Sequence, residues 1–254
     1  MRRPLVAANW KMHLLRAEAA AFCAGLRAGL DAPNSPSGAA GAEVVIFPSA
    51  PLLDTVARSL EDSGVAWGGQ DVHQEKAGAF TGDVAAAQLR DAGCGWALCG
   101  HSERRGYHGE SNELVGAKMK AAEAGGLRAL LCVGEKEEER KAGRTEEVLS
   151  AQLEAALAGG ATEFEIAYEP VWAIGTGATA SPAQAQEAHA LLRAELERLR
   201  GPNVAAATRI LYGGSVKPEN AAELFAGKDV DGFLVGGASL DCGKFLAIIA
   251  GSAG

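Results

Sequence analysis

Excess basic charge and long apolar runs are both missing from this chain. Its 254 residues carry a formal net charge of -8, which argues against non-specific binding to nucleic acid. No apolar run approaches the roughly 18 residues that a membrane-spanning helix needs, so we expect no membrane contact. After Arg2 and Arg3, the apolar run Leu5 to Ala8 is cut short by the polar stretch from Asn9 to Lys11. We therefore expect no signal peptide.

Metal-ligand and dinucleotide-binding motifs are missing as well. The five cysteines are an odd number without metal-ligand spacing, which is typical of reduced, mostly buried thiols in a cytoplasmic protein. Cys132 has no histidine nearby in the sequence and is interpreted as a packing residue. No Gly-x-Gly-x-x-Gly motif follows the first predicted strand. We accordingly predict no bound metal and no cofactor.

Eight short apolar runs alternate with about as many helical stretches, and no break in composition marks a second domain. The predicted strands are Pro4–Ala8, Glu43–Phe47, Val65–Gln70, Trp96–Cys99, Leu127–Val133, Phe164–Tyr168, Thr208–Tyr212 and Gly232–Val235. Alternation of this kind produces parallel strands with right-handed crossovers, and eight such units close into a barrel. We therefore predict an α/β fold, a single (β/α)8 barrel over residues 1–254.

The segment from Tyr168 to Ala180 combines a carboxylate with a candidate lid. Glu169 ends a buried strand, because Pro170 disfavours helix before it and cannot donate to a strand ladder. Apolar anchors then flank a Gly-Thr-Gly tip, a pattern that suits a loop with an open and a closed position. Ser181 has the features of a helix N-cap. Taken alone, the segment fits a surface loop after a structural glutamate equally well.

Further polar side chains follow other predicted strands. Asn9 and Lys11 come after the first strand and lie on one side of it. His101 follows the fourth strand, and a helical turn beginning there would favour a neutral imidazole. Glu103 and the two arginines after it are interpreted as a salt-bridge network that supports this turn. The charged run from Glu135 to Lys141 is interpreted as a solvated face.

Glycines follow the last two strands and predict an anion site. Gly213–Ser215 and the pair Gly236–Gly237 would present backbone N–H groups at the ends of neighbouring strands, and Gly175 at the lid tip could add another. Together with a carboxylate, an imidazole and a lysine, this inventory suits proton abstraction next to a carbonyl in a small phosphorylated substrate.

Four motifs resemble those of the triosephosphate isomerase family, and the match runs in order from about Pro4 to about Ala250. They are Ala8–Met12, Gly100–Arg105, Tyr168–Gly177 and Tyr212–Val216. The resemblance implies a TIM barrel that interconverts dihydroxyacetone phosphate and D-glyceraldehyde 3-phosphate in glycolysis and gluconeogenesis.

The same resemblance implies roles for individual residues. Glu169 would be the base, neutral His101 the electrophile, and Lys11 the source of positive charge, with Asn9 as a further polar contact. The phosphate would be held by backbone N–H groups of Gly175, Ser215, Gly236 and Gly237.

The resemblance also implies a homodimer. The long polar loop from Gln70 to Asp83 would enter the partner subunit and bring Thr81 near that subunit's Lys11 and His101. The chain departs from the family pattern at His13, Asp71 and Ala178. We expect the charge of Asp71 to affect dimer tightness and Ala178 to affect lid kinetics.

Two other functions stay open on the residues alone. A barrel aldolase would use Lys11 as a Schiff-base amine, which borohydride would trap with substrate. A non-catalytic phosphate-binding barrel would bind without turnover, although binding alone needs no base such as Glu169.

Overall fold

Eight parallel strands close into a barrel in chain order, as the alternating pattern predicts. The computed structural model describes residues 2–32, 41–174 and 179–252. The strands are β1 Leu5–Asn9, β2 Glu43–Phe47, β3 Ala66–Gly69, β4 Trp96–Cys99, β5 Arg128–Val133, β6 Phe164–Tyr168, β7 Ile210–Tyr212 and β8 Gly232–Val235. The prediction of a (β/α)8 barrel is confirmed.

Helices follow the strands and surround the barrel. Within the described ranges the α-helices are α1 Arg16–Leu30, α2 Leu53–Leu60, α3 Ala86–Asp91, α4 Ser102–Tyr107, α5 Asn112–Ala124, α6 Glu137–Lys141, α7 Thr145–Ala158, α8 Pro182–Arg200, α9 Pro202–Ala207, α10 Pro218–Phe225 and α11 Cys242–Gly251. Short 3-10 turns lie at Ala50–Leu52, Val171–Ala173 and Gly237–Leu240. No helix of the described residues is long and apolar enough to cross a membrane.

Four of these helices, α3, α6, α7 and α9, were not identified from the sequence. In α9 the signal was ambiguous, because Gly201 and Pro202 end α8 and the same proline occupies the first turn of the next helix. Proline is favoured there, since its missing N–H would have no partner inside the helix in any case. In the sequence, the Gly-Pro pair between α8 and α9 therefore indicated only the end of α8 and not the start of a second helix.

Strand alternation separates two apolar layers. Leu5 and Ala7 of β1 point into the barrel, whereas Val6 and Ala8 pack against the helices. Because both faces are buried, the strands have nearly continuous apolar sequences. The same alternation directs Asn9, the last residue of β1, toward the barrel interior.

Barrel closure requires a glycine at the start of β8. Gly232 has φ of 145°, and a Cβ atom there would lie 1.8 Å from the carbonyl oxygen of Leu5. These two residues are register partners in the β1–β8 pair. This close approach joins the last strand to the first. The residues that follow β7, β8 and β1 therefore lie next to one another at the C-terminal end of the barrel.

Candidate active site

A cavity of about 880 Å³ opens at the C-terminal ends of the strands. It brings together most of the residues that the sequence singled out, from strands far apart in the chain. These are Asn9, Lys11, His101, Glu103, Glu169, Ser215, Gly236 and Gly237. Gly175 and Ala178 lie outside the described residues. Thr81 is exposed in the loop after β3 and does not line this cavity.

Glu169 follows β6 and is 2% exposed. Its Oε1 atom lies 2.9 Å from Nε2 of His101, and its Oε2 atom accepts the backbone N–H of Ser102 at 2.8 Å. Burial raises the pKa of this carboxyl, but His101, the Ser102 N–H and Lys11 outweigh it and hold the pKa below its ordinary value. Glu169 is therefore an ionised carboxylate even though water barely reaches it.

Gly134 fixes the main chain of Glu169. A Cβ atom at position 134 would lie 1.7 Å from the carbonyl oxygen of Glu169, so only glycine fits. The N–H of Glu169 donates to the carbonyl of Val133 at 2.7 Å, which ties the carboxylate to the end of β5. Gly134 was not identified from the sequence, because a close approach between two strand ends is visible only in the closed barrel.

His101 is the N-cap residue of α4, so the predicted helical turn is present. Its Nδ1 atom accepts the backbone N–H of Glu103 at 3.3 Å, which requires a ring unprotonated at Nδ1 and therefore protonated at Nε2 when neutral. Burial lowers the pKa of His101, while the adjacent Glu169 carboxylate outweighs burial and raises it. The protonation of His101 is thus set by where the Glu169 carboxylate lies.

Lys11 has a strained main chain that its neighbours stabilise. Its φ of 51° lies in the left-handed region, which residues with a side chain rarely adopt. Asn9 Oδ1 accepts the Lys11 N–H at 3.0 Å, and Gln70 Nε2 donates to the Lys11 carbonyl at 2.8 Å. The Nζ atom is directed toward Glu103, with 2.6 Å between Nζ and Oε1. The ammonium therefore lies in the cavity rather than in bulk solvent.

The charges after His101 are paired differently from the predicted network. Glu103 pairs with Lys11 instead of with the arginines that follow it. Arg104 pairs with Asp71 and Glu110, and Arg105 donates to the carbonyls of Gly100 and Cys132. The two arginines do stiffen the turn, as expected, but Glu103 lines the cavity and pairs there with Lys11. Sequence neighbours on a short helix point in different directions, so spacing alone did not separate them.

Asp71, the departure beside Gln70, is neutralised inside its own chain. Its carboxylate lies 2.7 Å from Nζ of the buried Lys118 and 3.0 Å from Arg104. Glu110 is also buried and shares Lys118 and Arg104. The negative charge expected to disturb an interface is thus compensated before any partner is present.

Two hydrogen-bonded groups flank the candidate lid. At its start, Glu135 Oε1 accepts from Tyr168 Oη at 3.1 Å and from Trp172 Nε1 at 2.9 Å. Glu135 is fully buried, so the prediction of a solvated face is wrong for this residue, although α6 behind it is largely exposed. At the lid's end, the Ala180 N–H donates to Tyr212 Oη at 3.3 Å. Both ends of the segment are anchored to strand-end tyrosines.

Both glycine pairs line the cavity, Gly213–Gly214 after β7 and Gly236–Gly237 after β8. Gly236 and Gly237 follow β8 and lead into the 3-10 turn, and the Ser215 hydroxyl after β7 donates to the carbonyl of Ala173 at 3.0 Å. A Cβ atom at Gly236 would lie 3.4 Å from Cε of Lys11, so the lysine chain passes directly beside this glycine. The candidate anion site and the lysine are therefore adjacent.

In the part of the chain that the structure describes, no three His, Cys, Asp or Glu side chains are grouped to hold a metal ion. The absence of a metal and of a cofactor from the reaction stays a prediction. Cys132 is buried in the barrel interior, and burial raises the pKa of its thiol well above the usual range.

A parallel (β/α)8 barrel with a buried carboxylate, an imidazole and a lysine at the C-terminal strand ends has the layout of a barrel enzyme that transfers protons. The family model described as triosephosphate isomerase matches residues 4–252. A protein of that name from Chlorobium luteolum is 47% identical over 251 residues, covering 98% of each chain. One from Carboxydothermus hydrogenoformans is 48% identical over 256 residues, covering 99% of this chain and 100% of its own. The chain belongs to the triosephosphate isomerase family.

Proposed function

We propose that this protein interconverts dihydroxyacetone phosphate and D-glyceraldehyde 3-phosphate in glycolysis and gluconeogenesis. The observation that carries the proposal is the contact between Glu169 and His101, with Lys11 in the same cavity. A base, a hydrogen-bond donor and a fixed cation are the groups that an enediolate intermediate needs.

Glu169 would take the proton from the hydroxyl-bearing carbon next to the carbonyl and return it to the neighbouring carbon. The electron pair of the broken C–H bond forms the enediolate double bond, and the carbonyl oxygen gains the negative charge. The Nε2–H group of His101 would donate to the two substrate oxygens, and Lys11 would stabilise their charge. Asn9 supports Lys11 by accepting its backbone N–H.

The described arrangement has Glu169 engaged with His101 and Ser102, so the carboxylate must leave these partners to reach a substrate carbon. That movement removes the negative charge that raises the pKa of His101. Burial and the Glu103 N–H at Nδ1 then favour the neutral imidazole. The same movement of Glu169 would thus place an ionised base at the substrate and leave His101 neutral, as its role as electrophile requires.

The phosphate would lie at Ser215, Gly236 and Gly237, where backbone N–H groups can donate without bringing a charge into the cavity. Gly175 would add a donor on lid closure. Closure would also expel water, which strengthens each electrostatic contact in the site.

The decisive experiment is a coupled isomerase assay from D-glyceraldehyde 3-phosphate, run beside Glu169→Gln. We expect rapid turnover by the native protein and a loss of at least roughly a thousandfold in kcat for the variant, because the amide cannot accept the proton. An inactive native protein that still binds a phosphorylated analogue would overturn the proposal in favour of a binding protein.

The aldolase alternative receives no support from the lysine. A Schiff-base amine needs a free lone pair, whereas Lys11 Nζ is engaged in an ion pair with Glu103 at 2.6 Å. Borohydride added with substrate should therefore leave no covalent adduct on Lys11. A trapped adduct would replace the isomerase proposal.

We further propose a homodimer built on the loop from Gln70 to Asp83. Met12 and Tyr107 are 93% and 86% exposed, and Phe80 in the loop is exposed as well. Apolar side chains of this size at the cavity face and on the loop favour burial in an interface. The loop has a defined shape of its own, since the rings of His73 and Phe80 stack with centroids 4.1 Å apart.

Thr81 at the loop tip would then approach Lys11 and His101 of the partner subunit. Sedimentation of the native protein beside Thr81→Arg tests this, and we expect a dimer and a monomer of low activity, respectively. A native monomer with full activity would rule the dimer out.

A cytoplasmic location is supported by the five free cysteines, and cell fractionation would test it.

A further inference from the structure

The outer part of the cavity carries two lysines that the proposed reaction leaves unused. Lys217 immediately precedes α10, and Lys244 lies in the first turn of α11. Both side chains are exposed, and both line the same cavity as Ser215 and the pair Gly236–Gly237. Among the residues of the described ranges, neither lysine has an ion-pair partner. Their charge at the cavity mouth is therefore not cancelled by a salt bridge.

Helix stability does not account for these two positions. The first turn of a helix carries a partial positive charge, so a cation there is unfavourable and a carboxylate is favourable. The chain uses carboxylates in this way at both helices. Glu219 lies in the first turn of α10, and Asp241 caps α11 by accepting the N–H of Lys244 at 3.0 Å. The lysines occupy places that the helix dipole disfavours, which indicates a role outside helix formation.

The rest of the molecule would repel an anionic substrate at a distance. The formal net charge of the chain is -8. Inside the cavity, the charge of Lys11 is largely offset by Glu103, and Glu169 is ionised nearby. A dianion approaching from solvent therefore needs positive charge at the mouth itself.

We propose that Lys217 and Lys244 form a cationic rim that draws the phosphate dianion of a triose phosphate into the cavity. The inference rests on the proposed function, because it requires a dianionic substrate. A cleft of one charge sign with low-dielectric walls raises the local concentration and the association rate of an oppositely charged ligand. Glu219 lies on the same rim, so loss of both lysines changes the rim from net positive to net negative.

The test compares the double variant Lys217→Gln, Lys244→Gln with the native enzyme across a range of salt concentrations. At low ionic strength we expect kcat/KM for D-glyceraldehyde 3-phosphate to fall about 3- to 10-fold, with the loss expressed in kcat/KM rather than in kcat. The difference should shrink at high salt, because the Debye length falls from about 8 Å at 0.15 M to about 3 Å at 1 M. The Tm should rise by about 1–4 °C, since two cations leave helix N-termini.

Three controls separate the rim from other effects. Lys120→Gln removes the same charge from the exposed face of α5, away from the cavity, and should change neither kcat/KM nor its salt dependence. The double variant Lys217→Arg, Lys244→Arg keeps both charges and should retain the native kcat/KM. D-glyceraldehyde, which lacks the phosphate, should be turned over equally by the native enzyme and the glutamine variant.

The outcomes distinguish this inference from the proposed function. Absence of turnover by the native protein would refute the isomerase proposal itself. Normal native turnover with identical salt dependence in the glutamine variant would refute only the rim. A lower Tm together with an equal loss on D-glyceraldehyde would assign the lysines a structural role and likewise overturn the inference.

Discussion

The Nε2 atom of His101 lies 2.9 Å from Oε1 of Glu169, and both side chains are almost completely buried. The two residues follow β4 and β6, with the whole of β5 between them along the barrel wall. Each one shifts the pKa of the other toward the charged form. The proposed base is therefore held ionised by the proposed electrophile, and movement of the carboxylate changes both groups together.

Shortening the base should test its position. Glu169→Asp withdraws the carboxylate by one methylene, about 1 Å or more from its working place, and misplacement of that size costs on the order of a hundredfold. We expect kcat to fall by at least that factor while KM changes by no more than a few-fold. Steady-state kinetics in both directions measure this. An unchanged kcat would remove Glu169 from its role as base.

Removing the partner of the lysine should weaken the site less severely. Glu103→Gln loses the charge-assisted contact that directs Lys11 Nζ into the cavity, a contact worth about 1.5 kcal/mol, so kcat/KM should fall about tenfold. The matched control is Glu113→Gln at the start of α5, which lies outside the cavity. Equal kinetics for the two variants would mean that Lys11 needs no help from Glu103.

The rear anchor of the lid gives a third test. Tyr212→Phe leaves the Ala180 N–H without its acceptor at 3.3 Å, and we expect a several-fold lower kcat/KM with little change in Tm. Tyr107→Phe is the control, because it removes a hydroxyl that lies outside the cavity and keeps the apolar ring that the proposed dimer would bury, so its kinetics should be unchanged. A fall in Tm of several degrees for Tyr212→Phe would instead indicate a structural hydroxyl.

A buried histidine on α8 should make stability depend on pH. His189 is fully buried, and burial lowers its pKa to about 4. Since the unfolded chain takes up this proton near pH 6.5, the free energy of unfolding is unaffected above that pH and declines as the pH falls toward 4. The loss at pH 4 is about 3 kcal/mol.

The measurement is urea unfolding of the native protein and His189→Asn at pH 7.5 and pH 4.5. The asparagine amide can still donate to the carbonyl of Asp229, which lies 3.1 Å from Nδ1 of the native ring. We expect the variant to be less stable at pH 7.5 but to lose less stability on acidification. Equal losses in the two proteins would show that His189 does not contribute to the acid sensitivity.

Local sequence determined the fold class and the general position of the site. Buried parallel strands require apolar runs, and a run that ends in a polar residue, as at Asn9, His101 and Glu169, directs that residue to the C-terminal face of a barrel. The strands β2, β4, β6 and β8 were predicted with their observed bounds. These features depend on neighbours within a few residues, so they could be predicted without coordinates.

Tertiary structure alone decided which distant groups meet. Glu103 pairs with Lys11, 92 residues away, and the buried Glu135 accepts from Tyr168 and Trp172, although spacing had suggested a turn network and a solvated face. Gly134 is needed only because the ends of β5 and β6 approach so closely. Such contacts depend on the register of a closed barrel, which joins strands far apart in sequence. The apolar pattern of a single strand does not specify which residues of other strands it will contact.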